Sequence, residues 1–122
     1  MKENVAQLST LADVPGVLLR ASSWGGMACS YGEVAAGTDL APGFRGLPDD
    51  ACPVPHWGYV VKGSLRLRYS DGGEEVVRAG EMFYLPAGHV PAVFEEDAAW
   101  VEFSPQEGYD QLLVHLGLKT PI

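Results

Sequence analysis

Apolar and polar positions alternate along most of the second half of the chain. The alternation is clear over His56–Lys62, Leu65–Tyr69, Glu74–Arg78, Glu81–Leu85, His89–Phe94 and Ala99–Ser104. A period of two marks strands with one buried face. Turn signals separate these runs: Gly63-Ser64, Ser70-Asp71-Gly72-Gly73, Ala79-Gly80, Pro86-Ala87-Gly88 and Glu95-Glu96-Asp97. Upstream, Met27–Val34 alternates as well, and its phase suggests that Met27, Cys29 and Tyr31 line an interior. Val17–Arg20 reads as a first edge strand. Before it, Val5, Leu8 and Leu11 have near-helical spacing that Pro15-Gly16 interrupts. Residues 42–55, with four prolines and two glycines, read as a long loop wrapping one end of the molecule. Only Tyr109–Leu116 has helical spacing in the C-terminal part, through Leu112, Leu113 and Leu116. Many short strands with almost no helix predict an all-β, single-domain sandwich or jelly-roll barrel with a short C-terminal helix. The expected domain is 1–122, with a barrel core at about 17–104 and a tail or helix at 105–122.

Composition narrows the function classes. The chain has 122 residues, of which 47% are hydrophobic, enough for a core without disulfide or metal staples. No apolar run approaches the roughly 20 residues that span a bilayer, and the N-terminus lacks a signal-peptide layout. The expectation is a cytoplasmic protein with no membrane partner. Sixteen acidic against eight basic residues give a net charge of −8, and the basic residues do not cluster. Nucleic acid is therefore not expected as a partner. Gly25-Gly26 and Gly72-Gly73 precede no helix that would cradle a phosphate, so no nucleotide cofactor is expected. Cys29 and Cys52 read as buried thiols or ligands rather than a disulfide. His115 reads as structural or exposed.

The chemistry concentrates in Cys52-Pro-Val-Pro-His56 and in Pro86-Ala-Gly88-His89. Gly80, five residues, Pro86, Ala87 and Gly88 fit the start of the second cupin motif, G-x5-P-x-G-x2-H-x3-N. Val60-Val-Lys-Gly63 fits the end of the first, G-x5-H-x-H-x3,4-E-x6-G, and 16 residues separate Gly63 from Gly80. Residues 25–104 thus resemble the cupin superfamily. The resemblance implies a jelly-roll barrel with metal ligands converging inside. It also shows where this chain departs from the pattern. His56 stands in the motif's Glu position, Cys52 and Asp50 stand in its two His positions, and Pro91 stands where the second motif's His belongs. His89 comes two residues early with the same strand parity, and Glu95 replaces the terminal Asn.

Strand parity turns His56, Gly58 and Val60 inward and Trp57, Tyr59 and Val61 outward, against a covering segment or a second subunit. Cys52, His56 and His89 can then meet as one thiolate and two imidazoles, a zinc or iron donor set. The expected additional ligands or substrate contacts are Asp50, Tyr31, Tyr69, Tyr84 and Glu102. Two functions compete. One is a metal-binding cupin acting on or binding a small organic molecule. The other is a metal-free binding or sensing module with a pocket lined by Leu65, Leu67, Tyr69, Met82 and Tyr84. A homodimer fits either.

Overall fold

The computed structural model describes residues 1–118, so the end of the expected 105–122 tail lies outside the described residues. Nine strands and one α-helix follow in order: β1 Ser9–Val14, β2 Val17–Trp24, β3 Met27–Val34, β4 His56–Lys62, β5 Ser64–Tyr69, β6 Glu74–Arg78, β7 Met82–Leu85, β8 His89–Pro91, β9 Ala98–Pro105 and α1 Gln106–His115. They form a six-stranded sheet, β1-β2-β3-β9-β4-β7, and a three-stranded sheet, β6-β5-β8. Hydrogen bonding does not close the two sheets into one cylinder, so the structure is mostly β with a short C-terminal helix rather than a demonstrated barrel. Among the described residues no helix is long and apolar enough to cross a membrane.

Most strand boundaries follow the alternation, and β4 and β6 coincide with it. The N-terminal expectation is corrected. A single 3-10 turn covers Val5–Gln7, and Ser9–Val14 forms a strand paired antiparallel with β2. Pro15-Gly16, which breaks the helical spacing, supplies the hairpin turn, with Gly16 at φ 84°. The edge is therefore β1, and Val17–Arg20 begins an eight-residue interior strand.

Phase is corrected in two further strands. In β3 the inward residues are Ala28, Ser30, Gly32 and Val34. Ala28 packs with Tyr109 and Leu113, and Val34 joins the main core. A Cβ on Gly32 would meet the Trp100 ring at 2.7 Å, so this glycine lets the indole lie flat on the sheet. Met27, Cys29 and Tyr31 fall on the opposite face. In β7, Phe83 and Leu85 are buried, whereas Met82 and Tyr84 are exposed.

The main core lies between the sheets. Val60, Phe83, Leu85 and Trp100 of the larger sheet meet Leu65, Leu67 and Val77 of the smaller one. Two further clusters dock α1. Leu113 and Tyr109 pack on Leu11, Ala21 and Ala28, and Leu112 packs on Cys52 and Val54. The helix thereby closes over the loop that carries Cys52.

Candidate metal centre and cavity

Three local structures converge on one buried point. His56 opens β4, opposite Leu85, on the inward face shared with Gly58 and Val60. Cys52 ends the proline-rich loop, and the ring-restricted φ of Pro53 and Pro55 stiffens the four-residue step to His56. His89 opens β8 just after Gly88, whose φ of 97° suits glycine. Two backbone hydrogen bonds tie these segments: Cys52 N–H to the His89 carbonyl at 2.9 Å and Gly88 N–H to the Cys52 carbonyl at 2.8 Å. The resulting antiparallel bridge sets Cys52 beside His89 before any side chain chooses a rotamer.

The ligand atoms of Cys52, His56 and His89 all lie within 4.8 Å of one another, and all three residues are buried. Cys52 Sγ is 3.6 Å from His56 Nε2. The imidazole rings meet edge to face with centroids 4.8 Å apart. Tetrahedral zinc with ordinary Zn–S and Zn–N bond lengths has an S···N edge of about 3.5 Å. The Cys52–His56 spacing therefore already suits a shared ion.

The outward nitrogens are held as metal-ligating imidazoles require. His89 Nδ1 lies 2.8 Å from the Pro86 carbonyl, which only accepts, so Nδ1 carries the proton and the Nε2 lone pair is free. His56 Nδ1 lies 2.6 Å from Ser104 Oγ, and with its proton there Nε2 is free toward Cys52. Glu102 Oε2 stands 3.7 Å from the same Nδ1, beyond hydrogen-bond range but close enough for an electrostatic contact.

Burial governs the protonation states. It pushes the Cys52 thiol up to about 12, partly offset by a hydrogen bond with the Val54 backbone, with Glu102 raising it further. Burial, together with the neighbouring His56, pulls His89 down to about 4. Without an ion the site is a neutral thiol beside a neutral imidazole. A bound dication would reverse the preference at sulfur, because a coordinated thiol loses its proton.

The cluster opens on a cavity of about 340 Å³. Leu19 and Trp100 of the larger sheet, Leu65 and Leu67 of the smaller one, Phe44 of the loop and Leu112 of α1 contribute apolar wall. Its polar lining comes from His56, His89, Glu102, Tyr109 and Asp39. Tyr109 is buried, in hydrogen-bond contact with Ser30, and its phenol is raised by burial and by Glu102.

The other expected contacts divide. Glu102 lines the cavity. Tyr69 packs its ring against the core edge but donates its hydroxyl to Glu75 at 2.7 Å, away from the cluster. Asp50 is exposed and accepts from Gly46 N–H at 2.9 Å, capping its own loop. Tyr31 donates to Glu33 at 3.0 Å on the outer face of the sheet, and Tyr84 stacks on Trp57 on the same face, with ring centroids 5.2 Å apart. Strand phase thus places Tyr31 and Tyr84 on the outer face, and loop geometry places Asp50 at the surface, all three apart from the Cys52, His56 and His89 cluster. Leu65 and Leu67 line the cavity as expected, whereas Met82 does not. His115 is exposed and engages the Arg45 carbonyl at 2.9 Å. Sequence reasoning missed Ser104 and Tyr109. The parity that turns Glu102 inward also turns Ser104 inward, which was the available signal for the serine.

The sequence matches no protein-family model and no curated protein. Solved structures do match. An RmlC-like cupin from Shewanella frigidimarina superposes with a TM-score of 0.57 at 18% identity, over 82% of this chain and 86% of that one. The polyketide cyclase RemF from Streptomyces resistomycificus gives 0.60 at 17% identity, over 86% and 78%. The Fe(II) form of HppE gives 0.59 at 12% identity, over 85% of this chain and 59% of that one. With two sheets sharing one core, a helix over the loop and these neighbours, the chain has the fold of the cupin superfamily.

Proposed function

We propose that this protein holds a divalent metal ion, zinc or iron, between Cys52, His56 and His89, and binds a small organic molecule in the adjoining cavity. The observation that carries this reading is the set of three buried donor atoms within 4.8 Å, with the outward nitrogen of each imidazole engaged by Ser104 or the Pro86 carbonyl. Support also comes from a fold neighbour described with Fe(II) bound. The ion would supply Lewis acidity. The chain's own groups do the rest. Ser104 and Pro86 orient the imidazoles, the leucine and aromatic walls exclude water, and Glu102 offers a carboxylate beside the cluster. Elemental analysis of protein purified without added metal is the test. The expected result is near-stoichiometric metal in the wild type and its loss in a Cys52→Ala/His56→Ala double variant. Substoichiometric metal that the double variant leaves unchanged would overturn the reading.

A metal-free binding module is the second reading, favoured by the high thiol pKa of Cys52 and by an apolar cavity that needs no ion to form. It calls for thermal stabilisation by organic ligands that is insensitive to chelator. A homodimer belongs to either reading. Its support is the outer face of the larger sheet, where Trp57, Tyr59, Tyr84 and Phe103 are all exposed.

A further inference from the structure

The cavity wall carries a charge pattern that the metal cluster does not require. None of the described residues lining it is Lys or Arg, while Asp39 and Glu102 are both present. Glu102 sits at the cluster end, 3.7 Å from His56 Nδ1, with Tyr109 beside it. A carboxylate or phosphate entering this space would lose its water and gain no cationic partner. A hydroxyl has an acceptor waiting in Glu102. A bound ion would itself be a cationic partner at the cluster end, so the charge argument applies to the ion-free cavity. Size bounds the ligand as well. An apolar cavity of about 150 Å³ takes one benzene ring, and this one, at about 340 Å³, has room for a two-ring skeleton.

We propose that the cavity selects an uncharged, largely apolar molecule of about two rings with a hydroxyl at one end, and that Glu102 accepts the hydrogen bond of that hydroxyl. The inference rests on the reading of this cavity as a ligand site, and it concerns the cavity without the ion. The probes are 2-naphthol and 2-naphthoate, which share a skeleton and differ in charge. Titration calorimetry on the protein as purified, repeated after chelator treatment and with metal content measured on the same samples, separates the two questions.

The expected result is that 2-naphthol binds at least about ten-fold more tightly than 2-naphthoate, a loss expected for a buried unpaired charge. Glu102→Gln should narrow that ratio by raising affinity for the carboxylate. Leu40→Trp, a partly buried position on the cavity wall, should weaken both probes without altering their ratio, and it covers the case in which Glu102→Gln does not fold. Equal or tighter binding of 2-naphthoate overturns the proposal, as does failure of 2-naphthol to bind. Either outcome in chelator-treated samples removes the ligand class, while stoichiometric metal in the untreated samples leaves the metal reading standing.

Discussion

Ser104 stands behind His56 and holds its ring through Nδ1, which turns Nε2 toward Cys52. It is fully buried and sits 2.6 Å from His56 Nδ1. Removing a partner that orients a ligating imidazole costs about 10- to 100-fold in metal affinity. Ser104→Ala is therefore expected to keep the fold, lose about 1 kcal/mol of stability, and release metal to a chromophoric chelator at correspondingly lower chelator concentration. Unchanged affinity would mean that the hydroxyl is a packing group. Cys29 is the natural control. It is also buried, but it lies on the far face of β3 opposite Phe103, so Cys29→Ser should leave metal content unaltered. At this scale the convergence of Cys52, His56 and His89 was legible in the sequence, because each stands at or beside a motif position. Parity with Glu102 turns Ser104 inward, but nothing in the sequence shows that its inward neighbour is His56, 48 residues away.

Among the elements, β4 carries the heaviest constraint. Its inward row runs His56, Gly58, Val60, and the glycine is there because the Phe83 ring and the Val101 carbonyl occupy the space a Cβ would need. Gly58→Ala should thus cost about 1–3 kcal/mol in urea unfolding, with metal content reduced in the folded fraction because His56 shares the strand. α1 is the second such element. Leu113 is nearly fully buried between the helix and the larger sheet, so Leu113→Ala should cost about 2–5 kcal/mol. The same change should weaken ligand binding, since Leu113 also lines the cavity. The strands from β4 onward were readable because polar residues alternate with apolar ones along them. β3 misled because Met27, Cys29 and Tyr31 are the larger side chains while the interior takes Ala28, Ser30 and Gly32. The bulk of Trp100 explains that inversion, and no periodicity within β3 reveals a residue on β9. Residues 9–14 escaped because a β-hairpin edge need not bury more than Leu11.

For the whole molecule, the outer face of the larger sheet sets a row Cys29–Phe103–Trp57–Tyr84 beside a row Tyr31–Val101–Tyr59–Met82. Exposed aromatics in neighbouring register positions make a patch of the kind that associating surfaces favour. A second copy is the proposed occupant. Tyr84→Glu, at a residue 53% exposed and outside the core, should convert a dimer to a monomer in sedimentation velocity without unfolding it. A wild type that sediments as a monomer at high concentration would remove the dimer. The fold as a whole was legible through its glycine-spaced turns, whereas closure into a barrel was not, because strand number and turn spacing say nothing about whether the last pair of strands joins.

The most direct test of the proposed metal centre is an anomalous-scattering map from crystals grown without added metal. The expected result is one strong peak within about 2.0–2.4 Å of Cys52 Sγ, His56 Nε2 and His89 Nε2, facing the cavity. A map with no peak there, or with its only peak among Asp49 and Asp50 on the exposed loop, would contradict a metal centre built from Cys52, His56 and His89.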